Sequence, residues 1–345
     1  MSASDGDLHR PRMVARSLLR GSVDAISAIN GGRNSRVYRV ESAGRAYALK
    51  KYPGRNEDPR DRLGTEVAAL GLMERHGIGQ VPRVLAVDHE QGFALLTWLD
   101  GVPATGLDET DVDAAAGFLA ALHALRRSGE FAPEHLASEA CLSRAEIIRQ
   151  LEMRRARLCT LPAAETELHA FLEGPYAMAF DEITRRSDAL TEISDFDADV
   201  PLAPEQRSLV PSDFGFHNSL RADDGSLLFF DFEYFGWDDP VKMTSDFMLH
   251  PGTRLPVELR QHFCGAAKQV YGADPWFDRR LAAYYPLFGL RWVLILLNDF
   301  VRSSWRSKLA DSAESWQAAK NLQLAKAQQF LARVRGGHDG IPDGT

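Results

Sequence analysis

Three oxygen-bearing side chains, Asp213, Asn218 and Asp231, stand at a spacing suited to group transfer. The run Pro211-Ser212-Asp213-Phe214-Gly215-Phe216-His217-Asn218 holds an Asp-x4-Asn pair, and a second aspartate follows 18 residues after the first in Phe230-Asp231-Phe232-Glu233. Between them Asp223-Asp224-Gly225 is a hairpin-turn sequence, so the strand ending at Asp231 returns beside the Asp213 loop. Phosphoryl transfer asks for a carboxylate to take the proton of an attacking hydroxyl and for oxygen ligands to Mg2+. Asp213 suits the first task, Asn218 and Asp231 the second. Most loop aspartates cap helices or close turns, and that is the plainer account of Asp213. Asp231 is harder to dismiss, because an acid ending the apolar run Leu227 to Phe230 is costly to bury unpaired. Glu233 shares a strand face with Asp231 and is either a further ligand or a structural acid.

These residues resemble the aminoglycoside phosphotransferase and choline kinase branch of the protein-kinase-like superfamily, whose catalytic loop runs His-Gly-Asp-x4-Asn before a strand ending Asp-Phe/Trp-Glu. Gly236-Trp237-Asp238-Asp239-Pro240, Ser245-Asp246-Phe247 and Leu122-His123 extend the likeness, which spans roughly residues 25–300. The resemblance implies an ATP- or GTP-dependent small-molecule kinase. Asp213 would be its base, and Mg2+ would sit on Asn218 and Asp231. The acceptor would be a hydroxyl of an aminoglycoside-, amino-alcohol- or sugar-like molecule. Pro211-Ser212 replaces the family's His-Gly, and His217 stands where a small residue is usual. A histidine that normally buttresses the loop is therefore missing, and the alternative is a non-catalytic nucleotide-binding regulator.

The front of the chain fits the same implication. Lys50 follows Tyr47-Ala48-Leu49 at the end of a strand, where the kinase fold places its phosphate-binding lysine. Lys51 is equally basic, but alternation with Ala48 turns Lys50 inward. Glu66, on the next helix, is its natural ion-pair partner. Asn30-Gly31-Gly32-Arg33-Asn34-Ser35 is a turn whose N–H groups could cradle phosphate, with Gly31, Gly32, Asn34 and Ser35 as candidate contacts. Thr97, Trp98 and Leu99 would form a hinge offering backbone groups to adenine. Other catalytic signatures are missing: no Gly-x4-Gly-Lys-Ser/Thr loop, His-Glu-x-x-His pair or Gly-x-Ser-x-Gly elbow occurs. No Ala-Pro-Glu segment follows Asp231, which disfavours a protein kinase.

The elements that must position these groups divide into two textures. Residues 24–99 read as five short strands of an antiparallel sheet, with one helix inserted over Asp61 to His76. Residues beyond Gly101 read as helices at Glu109 to Arg127, Ser143 to Leu158, and Glu165 to Ala189 with a break at Gly174-Pro175. Further helices follow at Pro240 to His250, Val257 to Tyr271, Pro275 to Arg302 and Ser312 to Arg335. The expectation is an α+β, two-lobed protein-kinase-like fold. A flexible arm is expected over 1–12, a nucleotide-binding N-lobe over 13–99, a catalytic and substrate-binding C-lobe over 100–336, and a flexible tail over 337–345.

The chain has 345 residues, 45% hydrophobic and 26% charged, an ordinary globular composition. Three scattered cysteines, Cys141, Cys159 and Cys264, argue against a disulfide framework or a cysteine-rich zinc site. The net charge of −8 disfavours a nucleic-acid partner. Residues 1–99 carry 15 basic and 11 acidic side chains, or +4, and residues 100–345 carry the other 25 and 37, or −12. Asp188, Glu192, Asp195, Asp197 and Asp199 form an acidic run that would favour a cationic acceptor if it bordered the site. The polar start of the chain shows no signal peptide, and the apolar stretch Tyr284 to Val301 is interrupted by Pro286, Arg291, Asn298 and Asp299. A cytoplasmic protein without a membrane partner is expected. Nothing in the sequence indicates the oligomeric state.

Overall fold

The computed structural model describes residues 5–29, 35–192, 197–253, 255–301 and 313–337. The chain separates into two compact units, neither of them continuous in sequence. The first comprises residues 1–106, 127–138 and 211–236; the second comprises 107–126, 139–210 and 237–345.

The first unit is built on a five-stranded antiparallel sheet of order β1-β2-β3-β5-β4. Its strands are β1 (Ala25–Ile29), β2 (Arg36–Ser42), β3 (Arg45–Lys51), β4 (Val84–Asp88) and β5 (Phe93–Thr97). Hairpin connections dictate most of this order, and β5 lies against β3 because the chain from β3 passes through a helix before β4 and β5 return. That helix, α2 (Arg62–Arg75), starts where the Asp61 carboxylate accepts the Gly64 N–H at 3.0 Å. It stops at Gly77, whose φ of +73° suits a residue without Cβ, with Ile78 N–H returning to the Met73 carbonyl at 2.9 Å.

Residues 5–12, expected as part of a flexible arm, belong instead to helix α1 (Asp5–Leu19). Val14 and Ala15 of α1 are buried with Tyr38, Val40, Leu49, Phe93 and Leu95, covering one face of the sheet. Of the expected tail at 337–345, only Gly337 lies within the described residues.

A second, three-stranded sheet of the first unit has the order β6-β8-β9, where β6 is Val102–Pro103, β8 is Ser219–Arg221 and β9 is Leu227–Phe229. The Asp213 loop leads into β8 and Asp231 follows β9, so both lie at the open end of this hairpin. Two close backbone approaches help to join it to the rest of the unit. Phe229 N–H donates to the Gln80 carbonyl at 2.7 Å. Gly101 passes so close to Arg221 that an added Cβ would lie 2.8 Å from its carbonyl oxygen.

The second unit is helical, with strand β7 (Ser208–Val210) and helices α3 (Glu109–Leu125), α4 (Arg144–Cys159), α5 (Thr166–Glu173) and α6 (Pro175–Glu192), then α7 (Pro240–Leu249), α8 (Val257–Tyr271), α9 (Phe277–Leu296) and α10 (Ala313–Arg335). The break expected at Gly174-Pro175 separates α5 from α6. Helix α9 packs against α4, α6, α7 and α10 and is the core of this unit. With its continuation to Phe300 it is the one described helix long and apolar enough to span a membrane, yet 67% of its apolar window is buried, as a core helix would be.

Candidate active site

The candidate side chains gather at the β3 end, on α2 and beside the β8–β9 hairpin, all within the first unit. Lys50 lies on β3, paired with Val37 on one side and Ala94 on the other, and is only 5% exposed. The residue types on β3 explain its direction: Leu49 is fully buried in the core under α1, so Lys50 points to the opposite face. There its ammonium meets Glu66 Oε2 at 2.6 Å and Asp231 Oδ1 at 2.6 Å, with Glu233 Oε2 at 3.4 Å. Lys51 points the other way, donating to the Gln91 carbonyl at 2.6 Å. The choice of Lys50 over Lys51 follows from this alternation.

Glu66 is fixed on three sides. Besides Lys50 it accepts from the Tyr52 hydroxyl at 2.7 Å and from Phe232 N–H at 3.2 Å. Tyr52 was not singled out by sequence; it stands two residues after Lys50, and period-two spacing alone would have placed it on the same face. Burial opposes the charge on Lys50, but Glu66 and Asp231 outweigh it and hold the ammonium well above its usual pKa.

Asp231 lies just beyond β9. The hairpin register pairs Ser219 with Phe229, and Phe230 N–H donates to the Asn218 carbonyl at 3.1 Å. Asn218 and Asp231 are thereby brought to the same end of one hairpin. Asp231 adopts φ +72°, a left-handed conformation that costs a residue with Cβ about 1 kcal/mol or more. Burial, with the charges of Glu233 and Glu66 adding and Lys50 opposing, pushes its carboxyl up to about 6.

Glu66, Asp231 and Glu233 bring oxygens close enough together to hold a cation. Their partners distinguish them. Glu66 is committed to Lys50, Tyr52 and Phe232. Glu233 is buried and accepts from the Ser35 hydroxyl and from Arg62 Nη1 at 2.6 Å. Arg62 in turn bonds Asp58, which also takes Arg60. Glu233 is therefore a structural acid that ties α2 to the segment after β9. Asp231, with one oxygen on Lys50 and a third of its side chain exposed, is the member of the three suited to a metal. The Asn218 amide nitrogen donates to the Asp213 carbonyl at 3.0 Å, which turns Oδ1 into the ligating atom. Two oxygen donors of this kind fit Mg2+.

Asp213 sits in a tight three-residue turn. Its N–H donates to the Pro211 carbonyl at 3.1 Å, and Ser212 at the centre has φ +70°. Ser212 offsets part of that strain through its hydroxyl, which donates to the Ser138 carbonyl at 3.2 Å. The Asp213 side chain is 41% exposed, and its Oδ1 lies 3.1 Å from His217 Nε2. A short 3-10 turn over Phe216–Asn218 produces this approach.

Of the other candidates, Gly31, Gly32 and Asn34 lie outside the described residues. Ser35 is placed, and its hydroxyl is taken by Glu233. Thr97 N–H donates to the Arg83 carbonyl at 2.9 Å and its hydroxyl accepts Arg83 N–H at 2.8 Å. The Trp98 ring lies 5.0 Å from the Arg39 guanidinium. Arg62 and Tyr52 are the members that sequence reasoning missed.

In the second unit, the motif residues after Gly236 are structural. Asp239 accepts Val241 N–H at the start of α7 and pairs with Arg280 at 3.0 Å. Asp238 and Asp246 flank buried Lys242, and Asp246 also pairs with Arg291. His123 lies 3.0 Å from the Ser208 hydroxyl and edge-on to Tyr271. In the acidic run, Asp188 and Asp199 both pair with Arg144, which weakens its field; Asp195 lies outside the described residues.

A profile of the phosphotransferase enzyme family matches residues 25–276. Comparison with curated protein sequences finds no match. Solved structures that match include a choline kinase from Streptococcus pneumoniae, 16% identical over 95% of this chain and 99% of that one, with a TM-score of 0.60. Spectinomycin phosphotransferase in complex with ADP and spectinomycin is 12% identical over 91% and 94%, also with a TM-score of 0.60. The gentamicin complex of APH(2")-IIa is 14% identical over 96% and 97%, with a TM-score of 0.60. At these identities the likeness is one of fold, a mixed α+β protein-kinase-like arrangement of an antiparallel sheet followed by a largely helical region. Nothing among the described residues favours the non-catalytic alternative.

Proposed function

We propose, from the premise that this chain belongs to the phosphotransferase enzyme family and is a small-molecule phosphotransferase, that it moves the γ-phosphoryl group of ATP or GTP to a hydroxyl. The acceptor is an aminoglycoside-, amino-alcohol- or sugar-like molecule, and the setting is cytoplasmic. The observation that carries this reading is the convergence of Lys50, Glu66 and Asp231 in one ion-paired cluster, beside the Asp213 loop and Asn218 that lead into the hairpin.

Lys50, kept charged and aimed by Glu66, binds nucleotide phosphate oxygens. Asn218 Oδ1 and Asp231 would hold Mg2+, which when bound neutralises charge on the phosphates. Asp213 orients the acceptor hydroxyl and takes its proton as the oxygen attacks the γ-phosphorus. The bond from that phosphorus to the bridging oxygen breaks, and the diphosphate leaves. Trp98 and Leu99 offer backbone groups to the base, and the run Gly31 to Ser35 supplies backbone N–H groups to the phosphates.

The experiment is a screen of purified protein with Mg-ATP and Mg-GTP against choline, ethanolamine, aminoglycosides and sugars, reading nucleoside diphosphate release. Acceptor-dependent release supports the reading. No release with any acceptor or nucleotide, from folded protein that also fails to bind Mg-ATP, would defeat it.

A further inference from the structure

Asp213 is held at two points by residues of its own loop. The Asn218 side-chain amide fixes its backbone carbonyl at 3.0 Å, and His217 Nε2 lies 3.1 Å from its Oδ1. An ionised carboxylate can only accept hydrogen bonds, so Nε2 must carry the proton and donate. The imidazole is itself constrained, with its side chain only 19% exposed and its backbone in the 3-10 turn that Asn218 N–H closes on the Gly215 carbonyl at 3.0 Å. An aspartate 41% exposed on a loop has rotamers to sample, and a base that samples them spends less time aligned with its target.

We propose that His217 is a positioning residue for Asp213, holding Oδ1 and so fixing the direction in which the carboxylate meets the acceptor hydroxyl. The inference rests on the reading of Asp213 as the base. His217 touches no reacting atom itself; it acts by restricting where the carboxylate points.

The test uses the full chain and Mg-ATP hydrolysis, with water standing in for the acceptor hydroxyl. His217→Leu should lower kcat about 10- to 100-fold, the scale of a misaligned catalytic group, while leaving KM for ATP near wild type. His217→Gln, which keeps an N–H donor at similar reach, should recover most of that loss. In an Asp213→Asn background, His217→Leu should cause little further loss, because residues acting through one another are not additive. Melting curves identify any variant that fails to fold. Should His217→Leu do so, the side-chain 15N spectrum of the wild type decides, with the His217 signal assigned by its disappearance in His217→Gln. An Nε2–H tautomer supports the proposal, and an Nδ1–H tautomer overturns it. Wild-type kcat in His217→Leu, or the same fold loss on both backgrounds, also overturns it. Full activity in Asp213→Asn removes the base assignment and the proposal together; loss in Asp213→Asn with none in His217→Leu removes the proposal alone.

Discussion

Lys50 and Asp231, 181 positions apart, meet as an ion pair with Nζ 2.6 Å from Oδ1. The pair joins the sheet of the first unit to the hairpin beside the proposed base, so its two members should fail in different ways. Lys50→Ala should weaken ATP binding with Mg2+ present and leave Glu66 and Asp231 without their ammonium partner. Asp231→Ala should abolish the Mg2+-dependent part of ATP stabilisation, since ligand-linked stability follows the bound population. Thermal shifts with ATP, with and without Mg2+, measure both. A wild-type Mg-ATP shift in both variants would place the nucleotide elsewhere.

Glu233 is predicted to behave as a structural acid. Glu233→Gln loses the charge that faces Arg62 and Lys50, and breaking a buried pair from one side typically costs about 3–5 kcal/mol. The melting temperature should drop, while the Mg2+ concentration giving half-maximal activity stays near wild type. A Mg2+ requirement raised tenfold or more would make Glu233 a ligand.

Asp231 also sets a pH dependence for the metal. Its carboxyl is raised to about 6, chiefly by burial, and only the ionised form ligates. Apparent Mg2+ affinity should therefore hold above pH 7 and fall as pH drops through about 6. Titrating the Mg2+-dependent ATP shift between pH 5 and pH 8 measures this. An affinity unchanged down to pH 5, as for an ordinary aspartate with a pKa of about 3.9, would contradict it.

Acid stability should depend on Asp58. Hydrogen bonds from Arg60, opposed by burial and aided by Arg62, hold its carboxyl well below the usual range. A depressed carboxylate contributes stability above its unfolded pKa of about 4 and loses it as pH falls toward the folded value. Asp58→Asn should destabilise the protein at pH 7 by about 1–3 kcal/mol, the scale of a broken buried charge-assisted bond. The gap to wild type should narrow below pH 4. Urea unfolding at pH 7 and pH 3.5 measures it, and a gap independent of pH would contradict it.

Much of this was legible in the sequence. The five strands and α2 followed from alternation and turn residues, and the Asp213, Asn218 and Asp231 spacing pointed to one hairpin because Asp224-Gly225 is a turn. Helix α1 was not legible, since Pro11 lies inside it and its stability comes from Val14 and Ala15 packing on the sheet, a contact no local pattern announces. Strands β6 and β8 are two and three residues long, too short to show a period. Glu233 could not be assigned by spacing, because its role is decided by Arg62 and Ser35, 171 and 198 positions away. His217 was noticed only as a departure from a family pattern; its distance to Asp213 depends on a 3-10 turn that sequence does not signal.

The most direct measurement of the central claim compares wild type with Asp213→Asn in phosphoryl transfer from γ-labelled ATP to the best acceptor of the screen, alongside ATP binding by thermal shift. Asparagine keeps the volume and much of the hydrogen bonding but cannot take a proton at neutral pH. The account predicts a fall in turnover of about 10²–10⁴, the range for a positioned general base, with the Mg-ATP shift unchanged. Full turnover in Asp213→Asn would contradict it.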